Sequence, residues 1–441
     1  MSLDLFTFVF FYFIIINSTI GYGYLVARTT KIDLKFFNSS FLGLLGIFIL
    51  LLISYTSHLF VKHNYFHNVI ILIIGILSFV YFFLREGKKK NIIKLNFFFL
   101  LLFISFIIFK SHDDFSYYHF PYIYYLTQSK IMLGIGNFNH GFRTPSSIFY
   151  LNSLFYLPVI KYYFFQIGAI LIMGFSSYQF IYLIKEKLTQ KKYDKFFFLS
   201  LFFFMFTVIF FYRIAEHGTD RSAQILIFLL IIELLIIINF DKSIKECIIK
   251  ILIILGLVIS LKSFYILYLA FTFPVFYYFI IERKFRYILL IFKSLYFYLF
   301  LFLFGNILFV NFANSGCLIY PVSITCSDYF IWSIPLQEVS AMNDWYEQWS
   351  KAGANPNFRV ENPQVYIQHF NWVSNWFQEY FFTKVSDFIF GILFLTIIFL
   401  FTFQSNEKNS LYNYKGERFI YIILLILLFE WFYNHPSLRY G

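Results

Sequence analysis

Long runs of apolar residues, each of about 16 residues or more, alternate with short polar segments along the chain. About twenty apolar residues in a helix cross the hydrocarbon core of a bilayer, so each run predicts a transmembrane helix. Twelve such runs occur, near residues 4–26, 40–60, 67–84, 95–110, 162–184, 196–212, 222–240, 248–261, 264–281, 287–312, 385–403 and 419–433. The pattern predicts an all-α, polytopic membrane protein with about twelve transmembrane helices.

The composition agrees with this prediction. Of the 441 residues, 60% are hydrophobic and 13% are charged, whereas about 25% of the residues in a soluble domain are charged. The net charge of +12 would suggest nucleic-acid binding in a soluble protein. Here the basic residues lie in short segments between apolar runs, where they act as topology signals. We therefore expect no nucleic-acid partner.

The distribution of Lys and Arg predicts which helix ends face the cytoplasm. Alternate connections carry 22 of the 35 basic residues in short segments, and the opposite connections carry twelve, spread over far more residues. The positive-inside rule makes the first set cytoplasmic. The connections 111–161 and 313–384 then become two large external loops, and both termini face outside. The first run lacks a basic n-region and a cleavage site, so we predict a retained helix and not a signal peptide.

This layout divides the chain into four regions. Residues 1–94 carry the first three helices, and 95–312 form a helical core with the external loop 111–161. The large loop 313–384 and the last helices, in 385–441, complete the chain. The cytoplasmic segments are short and contain no Gly-rich phosphate-binding loop, so neither ATP-driven pumping nor cytosolic nucleotide-sugar chemistry is predicted.

The most informative polar stretch directly follows the fourth apolar run. His112, Asp113, Asp114 and His119 place two adjacent carboxylates between two histidines at the outer membrane edge. Ionisable groups are costly there unless they are used. A carboxylate could accept a proton from an attacking hydroxyl, and its neighbour could orient it or hold a divalent cation. The alternative is a solvated loop in which an Asp caps the helix beginning near Tyr117.

Further candidate binding residues lie on the same predicted face. In the first external loop, residues 134–147 combine glycines and amides with His140 and Arg143, which could surround a phosphate or sugar or could simply form turns. The sixth and seventh runs are joined by a polar turn whose charged residues exceed what a hairpin needs, unless they pair with one another. Those residues are Arg213, Glu216, His217, Asp220 and Arg221.

Two single cations complete the set. Lys262 interrupts an apolar stretch at the outer edge, where it could meet a lipid-linked phosphate or snorkel to the interface. Arg439 follows the last run and could pair with a phosphate.

Three cysteines occur in the chain. Cys317 and Cys326 open the second external loop on the oxidising side, so we predict a disulfide between them, with free buried thiols as the alternative. Cys247 falls on the reducing side. The same loop contains several Trp and amide residues between Trp332 and Trp376, which suit sugar binding but also suit the headgroup layer.

The acidic pair Asp113-Asp114, opening a polar and aromatic loop at the outer end of a helix, resembles the first external loop of GT-C integral-membrane glycosyltransferases. That class includes the protein O-mannosyltransferases and the aminoarabinose transferase of lipid A. The resemblance covers about residues 95–441, where seven helices precede the second long loop, although three extra helices precede the motif here. The stretches HDDFSYYHFPY and GCLIYP also resemble an uncharacterised bacterial multi-pass membrane family.

The resemblance implies transfer of a sugar from a polyprenyl-phosphate donor to an envelope glycan or lipid acceptor. It implies a bacterial inner-membrane protein whose active site faces the periplasm. Asp113 or Asp114 would deprotonate the acceptor hydroxyl. The cations that would offset charge on the departing phosphate are Arg213, Arg221, Lys262 and Arg439. No metal requirement is established, although a divalent cation would suit the carboxylates.

Two alternatives stay open. An oligosaccharide polymerase or ligase also has two large external loops, but it typically works with Arg and His. A transporter or flippase of lipid-linked material would place ionisable groups near mid-span. Away from their ends, the predicted spans contain only Glu233 and Glu430 as acidic residues, too few to favour transport.

Overall fold

The computed structural model describes residues 4–86, 89–107, 114–239, 244–354, 360, 362–402 and 414–438, with side chains except at 215–217 and 414–415. All regular elements in these ranges are helical. The α-helices are α1 (Leu5–Thr29), α2 (Ser39–His58), α3 (Tyr65–Arg85), α4 (Lys89–Ile107), α5 (Phe120–Gln128), α6 (Ser147–Ser153), α7 (Ile167–Thr189), α8 (Lys195–Phe210), α9 (Ile214–Asn239), α10 (Ile244–Leu261), α11 (Thr272–Ile281), α12 (Phe285–Lys293), α13 (Leu295–Ser315), α14 (Leu336–Lys351), α15 (Pro363–Ile367), α16 (Val373–Trp376), α17 (Ser386–Thr402) and α18 (Tyr414–Asn434). Four 3₁₀ segments and two π-helices lie between them: Ile135–Asn137, His140–Phe142, Ser263–Phe271 and Ser323–Thr325, and Phe115–His119 and Phe377–Val385.

Nine helices within the described ranges are long and apolar enough to cross a membrane. They are Leu5–Thr29, Ser39–His58, Tyr65–Arg85, Lys89–Ile107, Ile167–Thr189, Gly218–Asn239, Ser263–Ile281, Leu295–Ser315 and Val373–Thr402. The prediction of an all-helical, multi-pass membrane protein is therefore confirmed. The remaining predicted runs also coincide with helices. Of these, α8 is only 16 residues long, and α10 and α18 carry several charged residues.

Polar residues just before the apolar runs determine where several helices begin. The side chain of Asn38 accepts a hydrogen bond from the backbone N–H of Phe41 at 2.9 Å, and that of Asn64 accepts one from His67 at 3.0 Å. Asp194 likewise accepts from the first backbone N–H groups of α8. These caps satisfy donors that the first helical turn leaves without an intrahelical partner.

Glycines bring α1, α2 and α3 into close contact. A Cβ atom added at Gly46 would lie 1.8 Å from the backbone oxygen of Thr19, and one added at Gly23 would lie 1.8 Å from that of Leu42. Between α1 and α3, a Cβ at Gly21 would lie 1.9 Å from the oxygen of Gly75. Small residues allow helix backbones in membranes to approach this closely, so these three helices form a tight unit.

One predicted run differs from the structure, and the boundary between two others is defined by it. The run 287–312 is broken, because α12 ends at Lys293 and Ser294 caps the start of α13. Lys293 therefore ends a short helix and does not lie inside a span. Lys262 adopts an extended backbone between α10 and the following 3₁₀ helix. The eighth and ninth runs are thus two separate elements.

The first predicted external loop folds into the helix bundle. All seven residues of α6 are buried. Ser54 of α2 donates to the backbone oxygen of Tyr150 at 2.7 Å, and the hydroxyls of Ser147 and Ser260 lie 2.7 Å apart. Helix α6 therefore packs against α2, α7 and α10 and anchors the loop that carries the candidate site.

The following ion pairs each join two residues that belong to the same predicted set of connections, either cytoplasmic or external. The basic, predicted cytoplasmic set contains the pairs Arg28–Glu86, Lys187–Asp194 and Lys195–Glu417. The opposite set contains the pairs Arg143–Glu338 and Lys262–Asp220. This grouping agrees with two separate polar ends of the bundle.

Candidate functional site

Asp114 directly precedes the π-helix Phe115–His119, which continues into α5. The backbone of Asp114 is itself helical, and its side chain makes no capping hydrogen bond to that helix. The capping interpretation therefore does not apply to Asp114. His112 and Asp113 lie outside the described residues.

The polar segment 213–221 is the beginning of a helix. The predicted polar turn is shorter than expected, because it ends at Arg213 and α9 starts at Ile214. The side chains of Glu216 and His217 lie outside the described part of the chain.

The π-helix and the start of α9 face each other across a small cavity. His119 and Phe115 line it from one side, and Gly218 and Thr219 line it from the other. Its volume of about 20 Å³ is enough for roughly one water molecule. The structure thus brings the first external loop and the 213–221 segment together, as expected for two segments that are predicted to lie on the same side of the membrane.

His140 is influenced by two opposite charges, the carboxylate of Asp114 and the guanidinium of Arg143. Its Nδ1 atom is 3.3 Å from the hydroxyl of Tyr117. Burial and the nearby Arg143 guanidinium lower the pKa of His140, while the carboxylate of Asp114 opposes this shift. The imidazole therefore lies within electrostatic reach of both the carboxylate and the guanidinium.

Arg143 connects the two predicted external loops. Its Nε atom donates to the oxygen of Gly136 at 3.2 Å, one terminal nitrogen donates to the hydroxyl of Tyr320 at 2.7 Å, and the other pairs with Glu338. The side chain is only 8% exposed. Since protein groups occupy all three nitrogens, Arg143 positions the site in this structure and does not present a free phosphate ligand.

Lys262, directly after α10, forms an ion pair with Asp220, near the start of α9. The Lys262 ammonium lies 3.0 Å from Asp220 Oδ1. The hydroxyl of Tyr265 donates to the backbone oxygen of Asp220 at 3.4 Å, and Thr144 and Ser263 are joined through their hydroxyls at 2.5 Å. Polar residues therefore link Arg143 to Asp220. Thr144, next to Arg143, contacts Ser263, and Lys262, next to Ser263, pairs with Asp220.

The side chain of Arg221 points towards the end of the chain. Its guanidinium donates to Gln224 at 2.8 Å and to the backbone oxygen of Leu438 at 3.5 Å, and it lies 4.8 Å from the ring centre of Phe211. Arg213 is half-buried. Arg439, the remaining predicted cation, lies outside the described residues.

His435 and Lys351 are part of the same region, and single-sequence reasoning did not assign them to the site. Burial lowers the pKa of His435 to about 4, and the charges of Lys351 and Lys262 add to this effect. Lys351 pairs with Glu347 at 2.5 Å and is fully buried. Lys351 ends α14 and His435 directly follows α18, positions where a polar residue by itself indicates nothing about its distant neighbours.

The tryptophans Trp372 and Trp376 have packing roles. Both are buried, and Trp376 Nε1 donates to the backbone oxygen of Pro436 at 2.7 Å. Trp431 donates likewise to Ser437 at 2.8 Å. These rings hold the segment after α18 in place, so they are unable to stack on a sugar in this arrangement. Trp345, in contrast, is 45% exposed.

The disulfide predicted in the second loop is confirmed. Cys317 and Cys326 are bonded, and their Cα atoms lie 3.9 Å apart. Cys247 is a buried free thiol. The bond closes the turn that carries Tyr320, the hydroxyl partner of Arg143.

The described ranges contain no preformed set of metal ligands. No three His, Cys, Asp or Glu side chains lie close enough there to hold a metal ion. The described residues provide a carboxylate at Asp114 near the imidazole of His140 and, elsewhere, the Lys262 ammonium paired with Asp220. Groups of these types suit the activation of a hydroxyl and the stabilisation of an anionic leaving group.

The comparisons with known proteins concern the whole chain. No curated protein and no solved structure matches it. The model of one family, described as Domain of unknown function (DUF8201), matches residues 5–441. The chain belongs to this family.

Proposed function

We propose that this protein is a membrane glycosyltransferase of the GT-C type. It transfers a sugar from a polyprenyl-phosphate donor to an envelope glycan or lipid acceptor. The observation that carries the proposal is the position of Asp114, which lies within electrostatic reach of His140 and directly before the π-helix that lines a cavity together with the start of α9. An ionisable residue near the end of a predicted membrane-spanning helix is costly unless it is used.

In the proposed reaction, a carboxylate of the acidic pair accepts the proton of the acceptor hydroxyl. The hydroxyl oxygen attacks the anomeric carbon of the donor sugar, and the bond between that carbon and the phosphate oxygen breaks. Polyprenyl phosphate leaves with the bonding electrons. Lys262 and Arg221 offset the developing negative charge on the phosphate, and Arg143 holds the two loops in register.

We further propose twelve transmembrane helices, with α8, α10 and α18 added to the nine long apolar ones. The excess of Lys and Arg in the short connections supports a cytoplasmic location for that end. The candidate site then faces the periplasm of a bacterial inner membrane, where the lipid-linked donor and the acceptor are both accessible.

The proposal is tested in cells whose only copy of the protein is a variant. Asp114→Asn and Asp113→Asn remove a carboxylate while keeping its shape, so we expect a loss of glycan transfer of roughly 10²–10⁴-fold for the residue that acts as the base. The measurement is the envelope glycan profile at equal protein level. Asp328→Asn, which changes an exposed carboxylate in the second loop, is the matched control.

A wild-type glycan profile in both acidic-pair variants would contradict the proposal. Loss of chain length with retained single sugar units would instead indicate the polymerase or ligase alternative. Accumulation of the complete lipid-linked sugar on the cytoplasmic leaflet would indicate a flippase.

A further inference from the structure

A groove of about 510 Å³ lies at the opposite end of the bundle from the candidate site, beside the short helix α12. Three cations line it: Lys245 from the first turn of α10, and Arg286 and Lys293 from the two ends of α12. All three side chains are exposed. The proposed reaction uses none of them.

One face of α12 forms a wall of this groove. Arg286, Leu289, Leu290 and Lys293 line it, and they follow one another at intervals of three, one and three residues. This spacing places them on a single face of a helix. The groove therefore has a cation at each end of this wall and two leucines between them.

Among the described residues, no carboxylate offsets the positive charge of the groove. No acidic side chain lines the groove, and in the described ranges no ion pair involves Lys245, Arg286 or Lys293. In contrast, four other basic residues at this end of the bundle are paired with carboxylates. They are Arg28, Lys187, Lys195 and Lys250.

Hydroxyl groups lie next to the cations. Thr30 and Tyr296, which both line the groove, share a hydrogen bond of 2.8 Å between their hydroxyls. Ser294 also lines it. Hydroxyls and cations together are the donors that phosphate oxygens accept.

We propose that this groove binds an anionic phospholipid from the leaflet on the side of the basic connections. The headgroup phosphate lies among Lys245, Arg286 and Lys293, and an acyl chain lies along Leu289 and Leu290. A lipid accounts for the combination of cations with the exposed Leu289 and the half-buried Leu290, which a small soluble anion does not need. Basic pockets between transmembrane helices commonly recognise anionic headgroups. The proposal does not depend on the transferase function.

The test uses the full-length protein purified in detergent. Binding of phosphatidylglycerol is measured by native mass spectrometry and by the rise in melting temperature that a ligand specific for the folded state produces. Each basic residue near an anionic lipid contributes roughly a factor of five to affinity. We therefore expect the variant with Lys245→Gln, Arg286→Gln and Lys293→Gln to bind about 100-fold more weakly.

The control variant carries Lys35→Gln, Lys185→Gln and Lys192→Gln, which removes three exposed cations from the same end outside the groove. It should bind phosphatidylglycerol as the wild type does. If the groove variant does not fold, single Arg286→Gln, with an expected loss of roughly fivefold, replaces it.

Phosphatidylcholine at the same concentration should give weaker binding to the wild type. Equal affinity for both lipids, or equal phosphatidylglycerol binding by the groove variant and wild type, would overturn the proposal. Stabilisation by inorganic phosphate equal to that by phosphatidylglycerol would show a simple anion site and would also overturn it.

Discussion

Lys262 and Asp220, 42 residues apart, meet at 3.0 Å where α10 gives way to a 3₁₀ helix and α9 completes its second turn. Asp220 is only 7% exposed and Lys262 23% exposed. A partly buried pair of this kind fixes two helix ends relative to each other. Either charge without the other would be poorly solvated.

Removal of the carboxylate at this junction should destabilise the protein. We expect Asp220→Asn to lower the free energy of unfolding by about 2 kcal/mol, because the Lys262 ammonium loses its ionised partner. The measurement is thermal unfolding of the purified protein in detergent. Lys262→Met provides the second arm of a double-mutant cycle.

In that cycle, the variant with both substitutions should lose less stability than the sum of the two single variants. Additive losses would mean that the two residues do not interact in solution.

The cysteine pairing can be checked by alkylation. The unfolded, unreduced chain should take up one iodoacetamide adduct, at Cys247, because Cys317 and Cys326 are bonded to each other. After reduction, three adducts are expected from the three cysteines. Intact-mass measurement distinguishes the two results. Three adducts before reduction would disprove the disulfide.

The close approach of α1 and α2 predicts a large effect from one added methyl group. A Cβ at Gly46 would lie 1.8 Å from the oxygen of Thr19, so Gly46→Ala must push the helices apart. We expect a loss of about 1–3 kcal/mol, measured by thermal unfolding.

Gly305→Ala is the matched control, because nothing lies within 4 Å of a Cβ added there. Alanine also favours a helix over glycine by up to about 1 kcal/mol, so this variant should be neutral or slightly more stable. Equal losses at the two glycines would contradict the predicted packing.

His435 should make stability depend on pH. Burial, with Lys351 and Lys262 nearby, lowers its pKa to about 4 from 6.5. Between these two pH values the unfolded chain binds the proton more readily than the folded chain, so stability falls as the pH falls. The full contribution of this one group is about 3 kcal/mol.

The measurement compares the melting temperatures of wild type and His435→Gln between pH 7 and pH 4. The variant should lose less stability on acidification than the wild type. His369→Gln removes an exposed histidine of the second loop and should keep the wild-type pH dependence. Identical profiles for wild type and His435→Gln would refute the argument.

Hydropathy and local chemistry alone predicted the helical membrane architecture. A bilayer demands long apolar helices, and this demand acts on about twenty consecutive residues, so a single sequence displays it directly. The same applies to the Cys317–Cys326 bond, whose partners are nine residues apart. The grouping of basic residues at one end also follows from local composition.

Only the tertiary structure decided how distant polar groups are paired. Arg143 and Glu338 are separated by 195 residues, and neither the hydrophobic pattern nor the charge count indicates that they meet. The burial of α6, the break after Lys293 and the helical start of 213–221 also depend on packing. Helix packing brings together side chains that are far apart in sequence, and the hydropathy of a local window contains no information about such neighbours.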